Sequence, residues 1–94
     1  MQVSFNIPGP LRSFTENRSV VQLEVKANAN LLEALQGLFA AFPGLRDRVF
    51  TESGEVRRHV NLFIGNENVR YTGGLSTPIA AAAEISIVPA ISGG

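Results

Sequence analysis

Apolar and polar side chains alternate at the start of the chain: Val3, Phe5 and Ile7 are set between Gln2, Ser4 and Asn6. This period of two predicts a strand with one buried face. Pro8-Gly9-Pro10 stops it, because proline lacks the N–H a ladder needs and restricts the residue before it. Leu11 to Arg18 reads as a loop. Alternation resumes from Val20 to Lys26, with Val21, Leu23 and Val25 on one face and Gln22, Glu24 and Lys26 on the other. Two strands this close in sequence predict an antiparallel pair with a long connection.

The period then lengthens. Asn30 is a good N-cap, and Glu33 stands three residues on, where a reciprocal capping box needs it. Leu31, Leu32, Leu35, Leu38, Phe39 and Phe42 follow as one broad stripe at helical spacing. The face carrying Leu35, Leu38 and Phe42 is expected to pack on the sheet. Pro43-Gly44 ends the helix, with glycine able to take the left-handed conformation. A helix this short is not stable alone, so its stripe must be buried against other elements.

Beyond it, Leu45 to Glu55 is polar and irregular, with Leu45, Val49 and Phe50 as anchors for a short helical turn. Val60, Leu62 and Ile64 predict a third strand ended by Gly65-Asn66, and Asn68 to Tyr71 a shorter return beside it. Gly73-Gly74 marks a turn. Thr77-Pro78 reads as an N-cap followed by proline at the first helical position. Ala81-Ala82-Ala83 either extends that helix or forms a turn, and alanine does not favour the positive φ that glycine can supply there. Ile85 and Ile87 alternate with Glu84 and Ser86 in a final strand ended by Pro89. Strand, strand, helix, strand, short strand, strand is the order of an α+β domain, with one main helix over one face of a mixed sheet.

Composition narrows the functional classes. A chain of 94 residues with 45% hydrophobic content supports one domain with a modest core. Cysteine is absent, which removes thiol nucleophiles, zinc–thiolate sites and cysteine-ligated iron–sulfur clusters. Eight basic and eight acidic residues cancel, whereas nucleic-acid binders carry a basic stripe. No nucleic-acid partner is therefore expected. The opening Met1-Gln2-Val3-Ser4-Phe5 lacks a positive leader and a long apolar run, so no signal peptide is expected. Pro78 to Ala83 is too short to cross a bilayer. The expectation is a cytoplasmic protein with no membrane partner.

The sequence ends Pro89-Ala90-Ile91-Ser92-Gly93-Gly94. A final apolar strand should tether the chain to about Pro89. Residues 1–89 are thus expected to form the domain, and 90–94 a flexible reactive tail. Glycines at the end can enter a channel too narrow for other residues.

Taken together, these segments resemble the MoaD/ThiS family of ubiquitin-like, beta-grasp sulfur carriers. The resemblance runs through the opening strand to Pro8, the capped helix Asn30 to Phe42, and Val60-Asn61-Leu62-Phe63-Ile64. It continues in Asn68-Val69-Arg70, in Gly73-Gly74-Leu75, and from Ile85 to Gly94. Relatives often carry an Asp-Gly-Asp-like turn where this chain has Ala81-Ala82-Ala83. The resemblance implies that Gly94 is adenylated by an E1-like enzyme using ATP and magnesium, then converted by a sulfur donor to a thiocarboxylate. Gly93 and the segment Ala90, Ile91 and Ser92 would line the partner's channel. The carrier itself would bind no cofactor and catalyse nothing.

The stretch Phe63 to Leu75 is similar to carriers of a thiocarboxylate-dependent cysteine-synthesis pathway. In that pathway sulfur passes to an activated serine on a pyridoxal-phosphate cysteine synthase, and a metalloprotease releases the cysteinyl adduct. Molybdopterin synthase small subunits, which work with a large subunit in molybdenum cofactor biosynthesis, share the general pattern. Thiazole-synthesis carriers are usually shorter than this chain.

Other residues carry weaker signals. Phe63 falls on the face opposite Val60, Leu62 and Ile64, either as an aromatic anchor for the activating enzyme or in a second cluster beneath Leu45–Glu55. Val88 shares that ambiguity. Arg70 is a candidate docking charge, while Arg57 and Arg58 read as solvated surface. His59 is the single histidine, with no second ligand to form a metal site. Thr72-Gly73-Gly74-Leu75 lacks the spacing and lysine of a phosphate loop. Lys26 is the sole lysine, which restricts lysine-linked chains. With no nucleophile–base pair, an enzyme acting alone is not expected. A sulfur carrier, an inert ubiquitin-like module and a protein modifier are the classes that remain.

Overall fold

The alternation at the start builds β1 (Gln2–Asn6), which lies beside β2 (Val20–Glu24) in a computed structural model that describes residues 1–89. The two strands are antiparallel, with Phe5 opposite Val21 and Asn6 opposite Val20. The connection expected to be a plain loop contains a 3-10 helix over Gly9–Thr15, where Pro10 suits the first turn. Leu11 is buried there, as is Thr15, whose hydroxyl donates to the carbonyls of Arg12 (3.2 Å) and Arg18 (2.9 Å). β2 ends at Glu24 rather than Lys26.

Helix α1 (Leu31–Ala41) carries the expected capping box: Glu33 N–H donates to Asn30 Oδ1 at 2.9 Å and Asn30 N–H to Glu33 Oε1 at 3.1 Å. Its buried face comprises Leu31, Ala34, Leu35, Leu38 and Phe39. Phe42, expected on that face, is only half-buried, because it is the C-cap and has left the helical spiral at φ −134°. Gly44 is also not left-handed. The chain continues through a 3-10 turn at Pro43–Leu45 into α2 (Arg46–Val49). Gly44 answers a steric need instead: a Cβ there would stand 2.8 Å from Phe14 Cδ1. Leu45, Val49 and Phe50 are buried as expected, and the Phe50 ring meets Phe39 edge-on at 5.1 Å between centroids.

β3 (Val60–Ile64), β4 (Glu67–Asn68) and β5 (Glu84–Pro89) complete a five-stranded sheet of order β2-β1-β5-β3-β4. Only the β1–β5 pair is parallel, so the sheet is mixed. Register aligns Val21, Phe5, Ile85 and Ile64 across four strands on the inner face, with Leu62 opposite Ile87 in the next row. The side chains of α1 close over this face, and one contiguous core results.

Thr77-Pro78 starts no helix. The Thr77 carbonyl accepts from Leu31 N–H at 2.9 Å, and Ile79 N–H donates to Ala29 O at 3.0 Å, so this segment is held as a bridge beside the start of α1. The alanine run is accordingly a turn, and Ala82 occupies the left-handed region at φ 63°. Ala82 N–H donates to Gln2 O (2.9 Å) and Ser4 N–H to Ala83 O (3.0 Å), which binds this turn to β1 just before β5 begins.

Candidate functional site

β5 runs between β1 and β3, so its course is fixed from both sides. Its last residue, Pro89, is opposite Val60 at the start of β3. Proline is tolerated there because the pair closes the ladder rather than interrupting it. The chain therefore leaves the sheet beside Val60. Ala90, Ile91, Ser92, Gly93 and Gly94 lie outside the described residues. A recess of about 420 Å³ adjoins the exit, bordered by Phe14, Arg48, His59 and Pro89. The Arg48 guanidinium covers the Phe14 ring at 5.1 Å, a cation–π contact on one wall.

The outer face of the sheet carries the three expected docking residues. Register places Val20, Asn6, Ser86, Phe63 and Asn68 in one row across all five strands. Asn6 Nδ2 donates to Ser86 Oγ at 3.0 Å within it. Phe63 is half-buried and does not join the core beneath α1, so the second-cluster reading fails: Leu45, Val49 and Phe50 belong to the main core instead. Val88 is 42% exposed and lies opposite Asn61, while Phe63 is opposite Ser86. The two apolar side chains are therefore diagonal neighbours, within reach of an aromatic ring. Arg70 comes from the 3-10 turn Val69–Tyr71 after β4, and its Nη2 donates to Asn61 Oδ1 at 3.3 Å. Asn68 Nδ2 donates to the same oxygen at 3.2 Å. Phe63 and Arg70, linked by the tight turn between β3 and β4, and Val88 from β5 thus belong to one patch built around Asn61.

Sequence reasoning missed two features of this region. Tyr71 is 81% exposed beside Arg70, a large aromatic surface that packing does not explain. Asn61 anchors both Asn68 and Arg70, and its signal was its place between Val60 and Leu62, on the same face as Phe63. Gly73 and Gly74 both have positive φ (134° and 58°), a conformation that favours glycine, and a Cβ at Gly73 would also stand 3.3 Å from Thr77 Oγ1. Arg57, read as solvated surface, is half-buried and donates from Nε to Asp47 O at 2.7 Å. Among the described residues, no group of three or more His, Asp or Glu side chains could hold a metal ion. No helix among them is long and apolar enough to cross a membrane.

The perturbed carboxyl lies away from this patch. Glu33 is held below its ordinary pKa of 4.5, first by the hydrogen bond from Lys26 and then by the backbone N–H of Asn30. The Lys26 ammonium pairs with Glu33 Oε2, so the sole lysine buttresses the N-terminus of α1.

A family model described as the ThiS family matches residues 5–94. The chain belongs to the ThiS family. Sulfur carrier protein CysO of Mycobacterium tuberculosis is 36% identical over 97 residues, with all of both chains covered. Small archaeal modifier protein 1 of Haloferax volcanii is 34% identical over 74 residues, 79% of this chain and 80% of that one. A crystal structure of the Amycolatopsis orientalis BexX/CysO complex contains a chain that superposes with a TM-score of 0.85 at 30% identity, covering 98% of this chain and 99% of that one. These likenesses make the fold of this ThiS-family chain the ubiquitin-like beta-grasp, as its sequence led us to expect. The relatives that share it are named as a sulfur carrier protein and as an archaeal modifier protein.

Proposed function

We propose that this chain is a sulfur carrier whose reactive group is the carboxylate of Gly94, and that residues 90–94 act as a reactive arm on the 1–89 domain. One observation carries the reading: the match to a named sulfur carrier covers the whole chain, and the chain ends in Gly93-Gly94. A carboxylate is a poor electrophile. In the proposed cycle its oxygen attacks the α-phosphorus of ATP on an E1-like partner, releasing pyrophosphate and leaving an acyl-adenylate. Hydrosulfide delivered by the donor then attacks the acyl carbon, AMP departs, the thiol proton is lost to water, and a thiocarboxylate remains. ATP and magnesium belong to the partner, and the carrier supplies no acid or base.

Phe63, Val88 and Arg70 would dock the partner, with two apolar side chains at the centre and a guanidinium at the rim. Ala90, Ile91 and Ser92 would then lead Gly93 and Gly94 into the partner's channel. The accepting enzyme in this reading is a pyridoxal-phosphate cysteine synthase, followed by a metalloprotease. Transfer to a molybdopterin synthase large subunit would use the same thiocarboxylate. A second reading, a protein modifier joined to target lysines, is favoured by the likeness to Small archaeal modifier protein 1.

The test combines the carrier with an adenylating enzyme of the family, ATP, magnesium and a sulfur donor, and follows AMP release and intact mass. Wild type should exchange one carboxyl oxygen for sulfur. Deletion of Gly94 shifts the terminus by about 3.3–3.6 Å, more than a reacting geometry tolerates, and should abolish loading. Phe63→Ala should weaken complex formation in calorimetry with the fold intact. Sulfur loading of the deletion variant at the wild-type rate would refute the central role of Gly94, and branched peptides in its place would favour the modifier.

A further inference from the structure

Pro89 is one wall of the recess at the chain's exit from the sheet, and its other walls come from separate segments. Pro10, Ser13 and Phe14 belong to the 3-10 helix after β1, Arg48 belongs to α2, and His59 stands just before β3. Leu11 and Val60 are buried and close the floor. Phe14 and Pro89 are half-buried and Pro10 is exposed, so apolar surface reaches solvent around the exit. Among the described residues that line the recess, none is acidic.

Arg48 supplies the charge. It is exposed, and its guanidinium is held over the Phe14 ring at 5.1 Å. Among the described residues the arginine ion pairs use Arg18 and Arg46, and the arginine side-chain hydrogen bonds use Arg12, Arg57 and Arg70. The guanidinium donors of Arg48 therefore remain for an outside acceptor, and the ring restricts the side chain before that acceptor arrives. Five residues follow Pro89. Fully extended, they reach no more than about 18 Å. A partner that holds the Gly94 carboxyl must bring its surface within that distance of Pro89, and so up to the recess. Val60 faces the core and Val88 the outer side, so the recess and the Phe63–Val88 patch flank the exit from opposite faces of the sheet.

We propose that the recess is a second docking site for the adenylating partner, which seats a carboxylate on Arg48 and an adjacent apolar side chain between Pro10, Phe14 and Pro89. The identity of the partner rests on Gly94 being the reacting terminus. A carboxylate matches the guanidinium fork, and the apolar walls strengthen the pair by excluding water. A second copy docked through the same recess would bring Arg48 against Arg48. A free phosphate would leave the apolar walls uncovered.

The test titrates an adenylating enzyme of the family into the 15N-labelled full chain without ATP, so that binding is read apart from sulfur loading. The expected result is a shift of the Ser13, Arg48 and His59 amides, with affinity falling as salt rises. Arg48→Glu should weaken binding by about tenfold or more at low salt, and Arg48→Gln should weaken it less and flatten the salt dependence. Lys26→Gln removes the same unit of charge near the Gln2 end of the sheet, whereas Pro89 lies beyond the Asn6 end, and it should bind as wild type does. The proposal is overturned if Arg48→Glu binds with wild-type affinity, if the Ser13 and His59 amides do not shift, or if Lys26→Gln weakens binding as much as Arg48→Gln. It is equally overturned if equimolar inorganic phosphate reproduces the shifts, or if they follow the carrier's own concentration without enzyme. Where the shifts appear but wild type gains no sulfur once ATP, magnesium and a donor are added, the docking surface stands and the reading of Gly94 falls.

Discussion

Replacing Ala82 by glycine should stabilise the protein. Ala82 stands at φ 63° in the turn that feeds β5. A side chain in the left-handed region costs about 1–2 kcal/mol, because Cβ crowds the following carbonyl. Glycine removes that crowding but gives the unfolded chain more freedom, which offsets about 0.4–1 kcal/mol. Ala82 is exposed, so the lost methyl group takes little packing with it, and its backbone bond to Gln2 O is retained. The balance is a gain of up to about 1.6 kcal/mol. Ala81 provides the internal control. It is exposed and is not among the residues with positive φ. Ala81→Gly meets only the entropic term and should destabilise by about 0.4–1 kcal/mol. Urea titration of the three proteins reads both changes, and thermal melting should separate the two variants by several degrees at this domain size. If both substitutions shifted stability in the same direction, the reasoning about the turn would fail.

Leu35 is wholly buried beneath α1, so Leu35→Ala should cost about 2–5 kcal/mol in denaturant unfolding; a near-zero change would contradict its placement. Gly44→Ala forces the Phe14 ring to move from a 2.8 Å approach and should cost about 1–3 kcal/mol, with altered Phe14 ring resonances in NMR. The lowered pKa of Glu33 means that its contribution to stability is present above 4.5 and is lost as the pH falls through the lower folded value. Lys26→Gln should therefore raise the Glu33 pKa in an NMR titration and reduce the pH dependence of stability in that acidic window. An unchanged titration would remove Lys26 as the main cause.

Local rules were enough wherever a residue's partner lay within a turn or two of it. Asn30 and Glu33 fixed the start of α1 because both halves of the capping box lie within four residues. The alternation of Val3, Phe5 and Ile7, or of Ile85 and Ile87, defined buried faces because a strand leaves each side chain only two directions. The terminal Gly93-Gly94 needed no fold to be noticed. What failed required a distant partner. Thr77-Pro78 has the letters of a helix start, but Ala29 and Leu31 draw its segment into a bridge with the beginning of α1. Gly44 looked like a left-handed cap until Phe14, from another segment, supplied a steric reason for the missing side chain. Ala82 tolerates a strained φ because its bond to Gln2 helps to hold the turn beside β1. The outer patch is partly a tertiary product: the β3–β4 turn brings Arg70 to Asn61 locally, but Val88 joins them only because β5 enters between β1 and β3. Periodicity specifies which way a side chain faces, whereas strand order and register specify what it faces, and those depend on contacts between segments that the chain alone keeps far apart.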